Sequence, residues 1–471
     1  MLVESILTLA EGIDAILWGP WTMVFIASVS IYLTARSGFF QIRGFFYILR
    51  NTLGRLRFGK KSDVAKGQMT PFQATTTALA STVGTGNIAG VATALSVGGP
   101  GAIFWMWLLA ILGMMSKTAE ITLAVHYRDV EPDGRTHGGP MYYIQKGLGW
   151  GVLAKLFSAG ILTNSMVAAT LQSHTVGRAF LSTYSINPYV VTSLMAFVTA
   201  IVVIGGIRRI GQFSEALVPL MSAVFILTGL AVFLFNFERI PEVFALIFRH
   251  AFAPAPALGG FAGAAVSQAM QVGMSRGMLS NEAGLGTAPI AHATANTEHP
   301  FQQGMWGAFE VAIDTLVLCT ISAFAVLSTG VLSSGESGIE LVITAFSTVF
   351  PPDVAGGILS FAILTFCLTT QIAFFIYYET AITNLFGARS IRYLRWVYLV
   401  PGVLFAGVAN VDRLWVFANL AVGSCAIPNL IAVLALSGAF FTLMRDYVSG
   451  ENRYATAITD SSREYAREHI R

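Results

Sequence analysis

The sequence predicts an all-α, polytopic membrane protein of eleven spans: two inverted five-helix repeats preceded by one extra N-terminal helix. Three observations predict it. The 471-residue chain is 55% hydrophobic and only 11% charged, with mean hydropathy +0.67, too little polar surface to coat a soluble globule of this size. Its apolar runs are long enough to cross a hydrocarbon core of about 30 Å. After the first span ten remain, and the first and sixth of these are interrupted by glycines and small polar residues. Five is odd, so the second set of five enters the membrane in the opposite sense to the first, the layout of an inverted repeat with its site on the pseudo-twofold axis.

The extra N-terminal helix covers 15–35 and is expected to stay in the mature chain, because Glu4, Glu11 and Asp14 precede it where a cleavable signal carries basic residues. A loop with Arg36, Arg43, Arg50, Arg55, Arg57, Lys60, Lys61 and Lys66 follows. The first repeat, 73–237, begins with a broken span at 73–97, turns at Gly98-Gly-Pro-Gly101 and continues with spans near 102–126, 153–180, 189–205 and 213–237. A surface helix at 241–252 leads into the second repeat, 260–447, which opens with an interrupted segment at 260–293. Spans near 305–332, 355–385, 391–409 and 414–447 follow, with a surface helix at 339–350 and a tail at 448–471. The whole of 1–471 reads as one transmembrane domain.

Charge tests this count. Alternate connections carry Arg128 and Arg135, Arg208 and Arg209, Arg389 and Arg392, and the tail beyond Arg445; the others are uncharged, acidic or mixed. Excess Arg and Lys marks cytoplasmic loops, which places the N-terminus outside and the C-terminus in the cytoplasm. The net charge of +3 sits in these loops and does not point to nucleic acid. Cys319, Cys367 and Cys425 fall within apolar spans without metal-ligand spacing and read as buried small hydrophobes. No loop is long enough for a folded catalytic domain, so the chain does not read as an enzyme. It also lacks the continuous polar lining or repeated filter rings of an ion channel.

The first break, Ser81-Thr-Val-Gly-Thr-Gly-Asn-Ile-Ala-Gly-Val91, carries the function. Each unpaired backbone group in hydrocarbon costs several kcal/mol, so a break here faces protein or water. Opening near 83–85 leaves carbonyls free at the end of one half-helix and N–H groups free at the start of the next. One end suits a cation and the other an anion, so a zwitterion with a companion metal ion fits between them. The N–H groups of Thr85 and Gly86 are placed for a carboxylate; the carbonyls of the first half-helix, Thr82, and an unwound backbone at Gly273, Met274 and Ser275 in the second break suit an ammonium. Gly84-x-Gly86-x-x-Ala89 matches a dinucleotide fingerprint by letters, but that motif needs a βαβ unit, absent between two spans.

The second break contains Arg276 and Glu282, each of a kind that costs about 2.5–3.5 kcal/mol at a helix centre in lipid. Lys117 and Glu120 are three apart on one face and read as a structural ion pair; Glu310 and Asp314, four apart, read as a proton relay or as gate partners of Arg276. His174 and His292 read as packed polar residues.

The stretch from Gly98 to Gly113, with Gly84-Thr-Gly-Asn-Ile-Ala-Gly90, Ser280-Asn-Glu-Ala-Gly-Leu-Gly286, Ala288-Pro-Ile-Ala-His-Ala293 and Phe309-Glu-Val-Ala-Ile-Asp314, resembles the alanine or glycine:cation symporter family over nearly the whole chain. The resemblance implies the leucine-transporter fold, a bacterial or archaeal inner (plasma) membrane, and import of a small neutral amino acid such as alanine, glycine or D-alanine. Sodium would be the co-transported ion, or a proton in its place, with no organic cofactor. It assigns Gln172 to the substrate amine. It also puts sodium between the first and eighth core helices, on the carbonyls of Ala80 and Val83 and the hydroxyls of Thr369 and Thr370. Adjacent threonines point about 100° apart on a regular helix, so at least one of the two is back-bonded to its own helix. One departure stands out: the eighth core helix reads Gln371-Ile-Ala-Phe-Phe-Ile-Tyr-Tyr-Glu379, placing Phe374 where the family pattern leads one to expect a tryptophan over the pocket. A smaller ring leaves room for a bulkier amino acid or another organic solute.

Overall fold

The computed structural model describes residues 2–56, 67–131, 134–252, 262–408, 412–451 and 453–454. Arg57, Lys60, Lys61 and Lys66 of the basic loop, the expected start of the second repeat at 260 and the tail from 455 onward lie outside the described residues.

Proline writes many of the helix starts. Pro20, Pro71, Pro188, Pro300 and Pro352 each stand in a first turn, where the missing N–H removes a donor that no helix could satisfy. Thr70 adds a capping box: its hydroxyl accepts from the Gln73 N–H at 3.0 Å while Gln73 Oε1 accepts from the Thr70 N–H at 3.2 Å. This fixes where the first broken helix begins.

Six described helices are long and apolar enough to cross a bilayer: Gly101–His126, Gly151–Tyr184, Gly206–Phe235, Pro300–Thr329, Pro352–Phe386 and Val416–Ala435. The pair Pro71–Thr82 and Gly86–Gly98, bent by 51°, makes a seventh. Pro20–Arg36 and Pro188–Ile204, at 17 residues each, are apolar but shorter. The helices Ile240–Phe252 and Gly338–Ser347 match the two expected surface helices.

Four elements differ from the sequence reading. The N-terminal region is two helices, Leu2–Leu17 and Pro20–Arg36, because Gly19 and Pro20 interrupt what reads as one run. The expected span at 391–409 is three short pieces, Ile391–Leu394, Val397–Leu399 and Val400–Leu404, in a stretch loaded with Arg389, Arg392, Arg395 and a mid-run Pro401. The last apolar run divides at Leu436 into Asp412–Ala435 and Ser437–Ser449. Finally, the second interrupted segment stays helical through Gly273 and Gly277, as Ala262–Asn281, and opens only afterwards. There Glu282, Gly284 and Gly286 take φ of 55°, 93° and 76°, before the short helix Ala288–His292.

The helical Gly273 has a steric cause. A Cβ there would overlap the Ala102 carbonyl and stand 2.9 Å from Trp105 Cβ, whereas one at Gly277 would only touch Met106 at ordinary contact distance, 3.4 Å. Gly273 is the notch that lets Ala262–Asn281 approach Gly101–His126 closely. At Gly286 the demand is conformational as well as spatial, since a side chain would meet Pro140 at 2.5 Å and Phe157 at 3.0 Å at a positive φ.

The ends of the molecule are unequal. At one, Met69 pairs with Ala295 through Met69 N–H to Thr294 O at 3.0 Å and Asn296 N–H to Met69 O at 2.8 Å. Arg128 adds donors to the carbonyls of Ala293 and Ala295 at 3.1 and 2.6 Å. This latch joins the residue before the first broken helix to the residues after the second. The other end is open.

Candidate functional site

A cavity of about 820 Å³ descends from that open end, past Ser182, Gly338 and Glu340, to the bend of the first broken helix. Its floor is built by four elements: Pro71–Thr82 with the following turn, Gly151–Tyr184, Ala262–Asn281 and Pro352–Phe386. Thr82, Gly84, Thr85 and Gly86 line it, as do Gln172, Arg276 and Phe374.

The bend is held open by side chains. Val83 ends the first half-helix in an extended conformation with ψ 100°. Asn87 Oδ1 accepts the Gly84 N–H at 2.9 Å, while its amide donates to Asp314 Oδ1 at 2.6 Å. The other Asp314 oxygen takes the hydroxyls of Ser280 and Thr315, both at 2.9 Å, and Ser322 donates to the Asn87 carbonyl at 2.6 Å. A wide π-turn at Gly86–Gly90 follows; such turns gather at functional sites. These side-chain bonds hold the break in one shape.

The sodium assignment divides. The Thr370 hydroxyl, 2.8 Å from the Phe366 carbonyl of its own helix, also reaches across to the Ala80 carbonyl at 2.9 Å and the Val83 carbonyl at 3.5 Å. These three residues therefore meet as a small oxygen cage. Thr369 does not join them: its hydroxyl faces Met221 Sδ at 3.5 Å and its own helix at Thr365 and Phe366, both 2.9 Å. Adjacent positions on a regular helix cannot both face the same neighbour, and Thr369 is withdrawn from the site.

The substrate assignment divides as well. Gln172 lines the cavity, and its Oε1 is buried without a donor among the described residues; its Nε2 would lie 3.6 Å from a Cβ at Gly84. Phe374, 4% exposed, closes the floor with its ring edge-on to Tyr377 at 5.2 Å. Gln371 turns away, toward Thr199 and Ser173. Gly273, Met274 and Ser275 supply no unwound backbone, because the helix is intact there.

The proposed gate is also corrected. Arg276 lines the cavity, but Glu310 and Asp314 are committed elsewhere. Glu310 forms an ion pair with Lys117 at 3.2 Å and accepts from His292 Nε2 at 2.6 Å. Gln303 Nε2 faces His292 Nδ1 at 2.8 Å and the Pro71 carbonyl at 3.3 Å, which leaves the imidazole hydrogen on Nε2. Lys117 therefore pairs with Glu310, not Glu120, and donates to the Asn281 carbonyl at 2.8 Å. Glu120 instead accepts from Asn429 at 2.9 Å. Sequence reasoning gave no role to Asn87, Ser280 or Tyr377. The available signal for Asn87 was a carboxamide three residues past Gly84 in an apolar span.

A helical membrane protein with a central cavity at the bend of a broken helix, latched at one end and open at the other, is a carrier in architecture. The chain belongs to the sodium:alanine symporter family, whose profile it matches over residues 3–460. It is 37% identical over 441 residues to the sodium/alanine symporter AgcS of Methanococcus maripaludis, covering 92% of this chain and 95% of that one. It is 38% identical over 448 residues to the probable sodium/glutamine symporter GlnT of Bacillus subtilis, covering 95% and 91%. Among solved structures it resembles MhsT in complex with L-phenylalanine, with TM-score 0.51, 14% identity and coverage of 81% and 100%. Its fold is the leucine-transporter type.

Proposed function

We propose that the protein imports a small neutral amino acid, alanine or glycine with D-alanine included, together with sodium, by alternating access. The observation that carries this reading is the meeting of Ala80, Val83 and Thr370 beside a cavity lined by Thr85, Gly86 and Gln172. The carbonyls and hydroxyl suit a hard cation. The head of the second half-helix suits the substrate carboxylate, with Thr82 and Gln172 toward the ammonium. A tenfold inward sodium gradient contributes about 1.4 kcal/mol per sodium, enough for roughly tenfold accumulation whatever charge the return step carries. The loop charges favour the open end as extracytoplasmic, and the helices 73–237 and 260–447 act as the two repeats that rock about the site.

A second reading, a bulkier amino acid, rests on Phe374 and on the relative named for glutamine. The test is uptake of labelled alanine by the protein in liposomes under an inward sodium gradient, with potassium as control and unlabelled amino acids as competitors. Sodium-dependent uptake blocked by glycine or D-alanine supports the first reading; sodium-dependent uptake of glutamine with none of alanine supports the second. No sodium-dependent uptake of either overturns both.

A further inference from the structure

Glu282 serves neither the substrate nor the sodium assignment. It is 5% exposed, lines the cavity and stands at the second break with φ 55°. Its Oε2 lies 2.7 Å from the Thr287 hydroxyl and 3.2 Å from that of Ser81. Among the described residues no lysine or arginine lies within ion-pair distance of it, whereas Glu310 is paired with Lys117.

Hydrogen counting makes Ser81 informative. Its single hydroxyl hydrogen faces three oxygens: the Ala78 carbonyl at 2.7 Å, the Tyr377 hydroxyl at 2.9 Å and Glu282 Oε2 at 3.2 Å. Tyr377 has no other hydrogen-bond partner among the described residues, so Ser81 Oγ is the acceptor open to its hydrogen. When Ser81 donates to Ala78, no hydrogen remains for Glu282, and that contact is a bond only if the carboxyl carries a proton and donates it. When Glu282 is ionised, the Ser81 hydrogen turns to it and leaves the Ala78 carbonyl to Thr82, whose hydroxyl donates there at 2.8 Å. Ser81 is thus a two-position switch, placed in sequence between Ala80 and Val83.

We propose that Glu282 holds a proton which the carrier exchanges for sodium. A cation on the Ala80 and Val83 carbonyls favours the ionised carboxylate. Ser81 then turns its hydrogen to Oε2, and the proton leaves Oε2 for water in the cavity. On the return step without sodium the carboxylate takes up a proton from the other side, so the carrier never moves an uncompensated buried charge. The inference rests on the sodium site proposed above.

The surrounding groups leave this role to Glu282. On Gly101–His126, Lys117 is paired with Glu310 and Glu120 is bonded to Asn429; on Pro300–Thr329, Asp314 is bonded to Asn87, Ser280 and Thr315. His292 is held by Glu310 and Gln303, Tyr377 faces Ser81, and Arg276, His174 and Arg178 line the same cavity.

The test adds sodium chloride, or choline chloride as control, to the purified protein in weakly buffered detergent near neutral pH with a pH-sensitive dye. The wild type is expected to release about one proton per molecule with sodium only, Glu282→Asp to release it too, and Glu282→Gln to release none. In parallel, sodium affinity is expected to fall as pH falls in the wild type and to stay flat in Glu282→Gln. No release from the wild type overturns the inference whether or not the variants fold, and undiminished release from Glu282→Gln overturns it as well. Release without any alanine uptake would sink the substrate reading and leave this one standing; sodium-driven alanine uptake without release would do the reverse.

Discussion

The two breaks look alike in letters and differ in kind. At the first, Gly84 and Gly86 lie in a turn that lines the cavity, and the bend is held by Asn87 reaching Asp314 and Ser280. At the second, the two glycines that draw attention, Gly273 and Gly277, stay helical, Gly273 as a packing notch, while the chain opens later at Glu282, Gly284 and Gly286. A glycine supplies either room or freedom, and sequence alone does not say which. The first break is a polar turn held open by side chains; the second holds charge and shape.

The largest expected effect breaks the second region. Lys117 joins the end of Ala262–Asn281 to Glu310, with both side chains fully buried. Replacing Lys117 with Met strands that carboxylate, and losing one partner of a buried pair costs about 3–5 kcal/mol; a large drop in melting temperature in detergent is expected. Lys117→Met and Glu310→Gln combined is expected to recover part of the loss, and a double variant no more stable than the single would contradict the pairing.

Next come the glycines. Gly273→Val overfills a notch against Ala102 and Trp105 and is expected to destabilise by about 1–3 kcal/mol, read by thermal unfolding. If 273 were instead an unwound ligand position, the variant would fold normally and lose only substrate affinity. A subtler change sharpens the first region. Phe374→Trp enlarges the ring over the cavity floor and is expected to raise the KM for glutamine-sized competitors several-fold while that for glycine changes little; equal shifts for both would remove Phe374 from selectivity.

Much of the fold was legible because lipid enforces it: the apolar runs located most of the long helices, and the loop charges alternated as a chain threaded through a membrane requires. The failures have physical causes. Pro401 and the nearby arginines divided an otherwise apolar run at 391–404, and Gly19 with Pro20 did the same near the N-terminus. At the site, the meeting of Ala80, Val83 and Thr370 was implied by the family resemblance, and helical phase added only that one of the two threonines would turn away. The pairing of Lys117 with Glu310 was not, because it joins two helices 193 positions apart in the chain, and local spacing pointed to Glu120 instead.

The most direct measurement compares sodium stimulation of amino-acid uptake in liposomes for wild type, Thr370→Ala and Thr369→Ala. The wild type and Thr369→Ala are expected to differ by no more than about twofold, within the small effect of a self-bonded hydroxyl, while Thr370→Ala loses sodium stimulation. Uptake by Thr370→Ala that remained fully sodium-stimulated would contradict a coupling site at the first break.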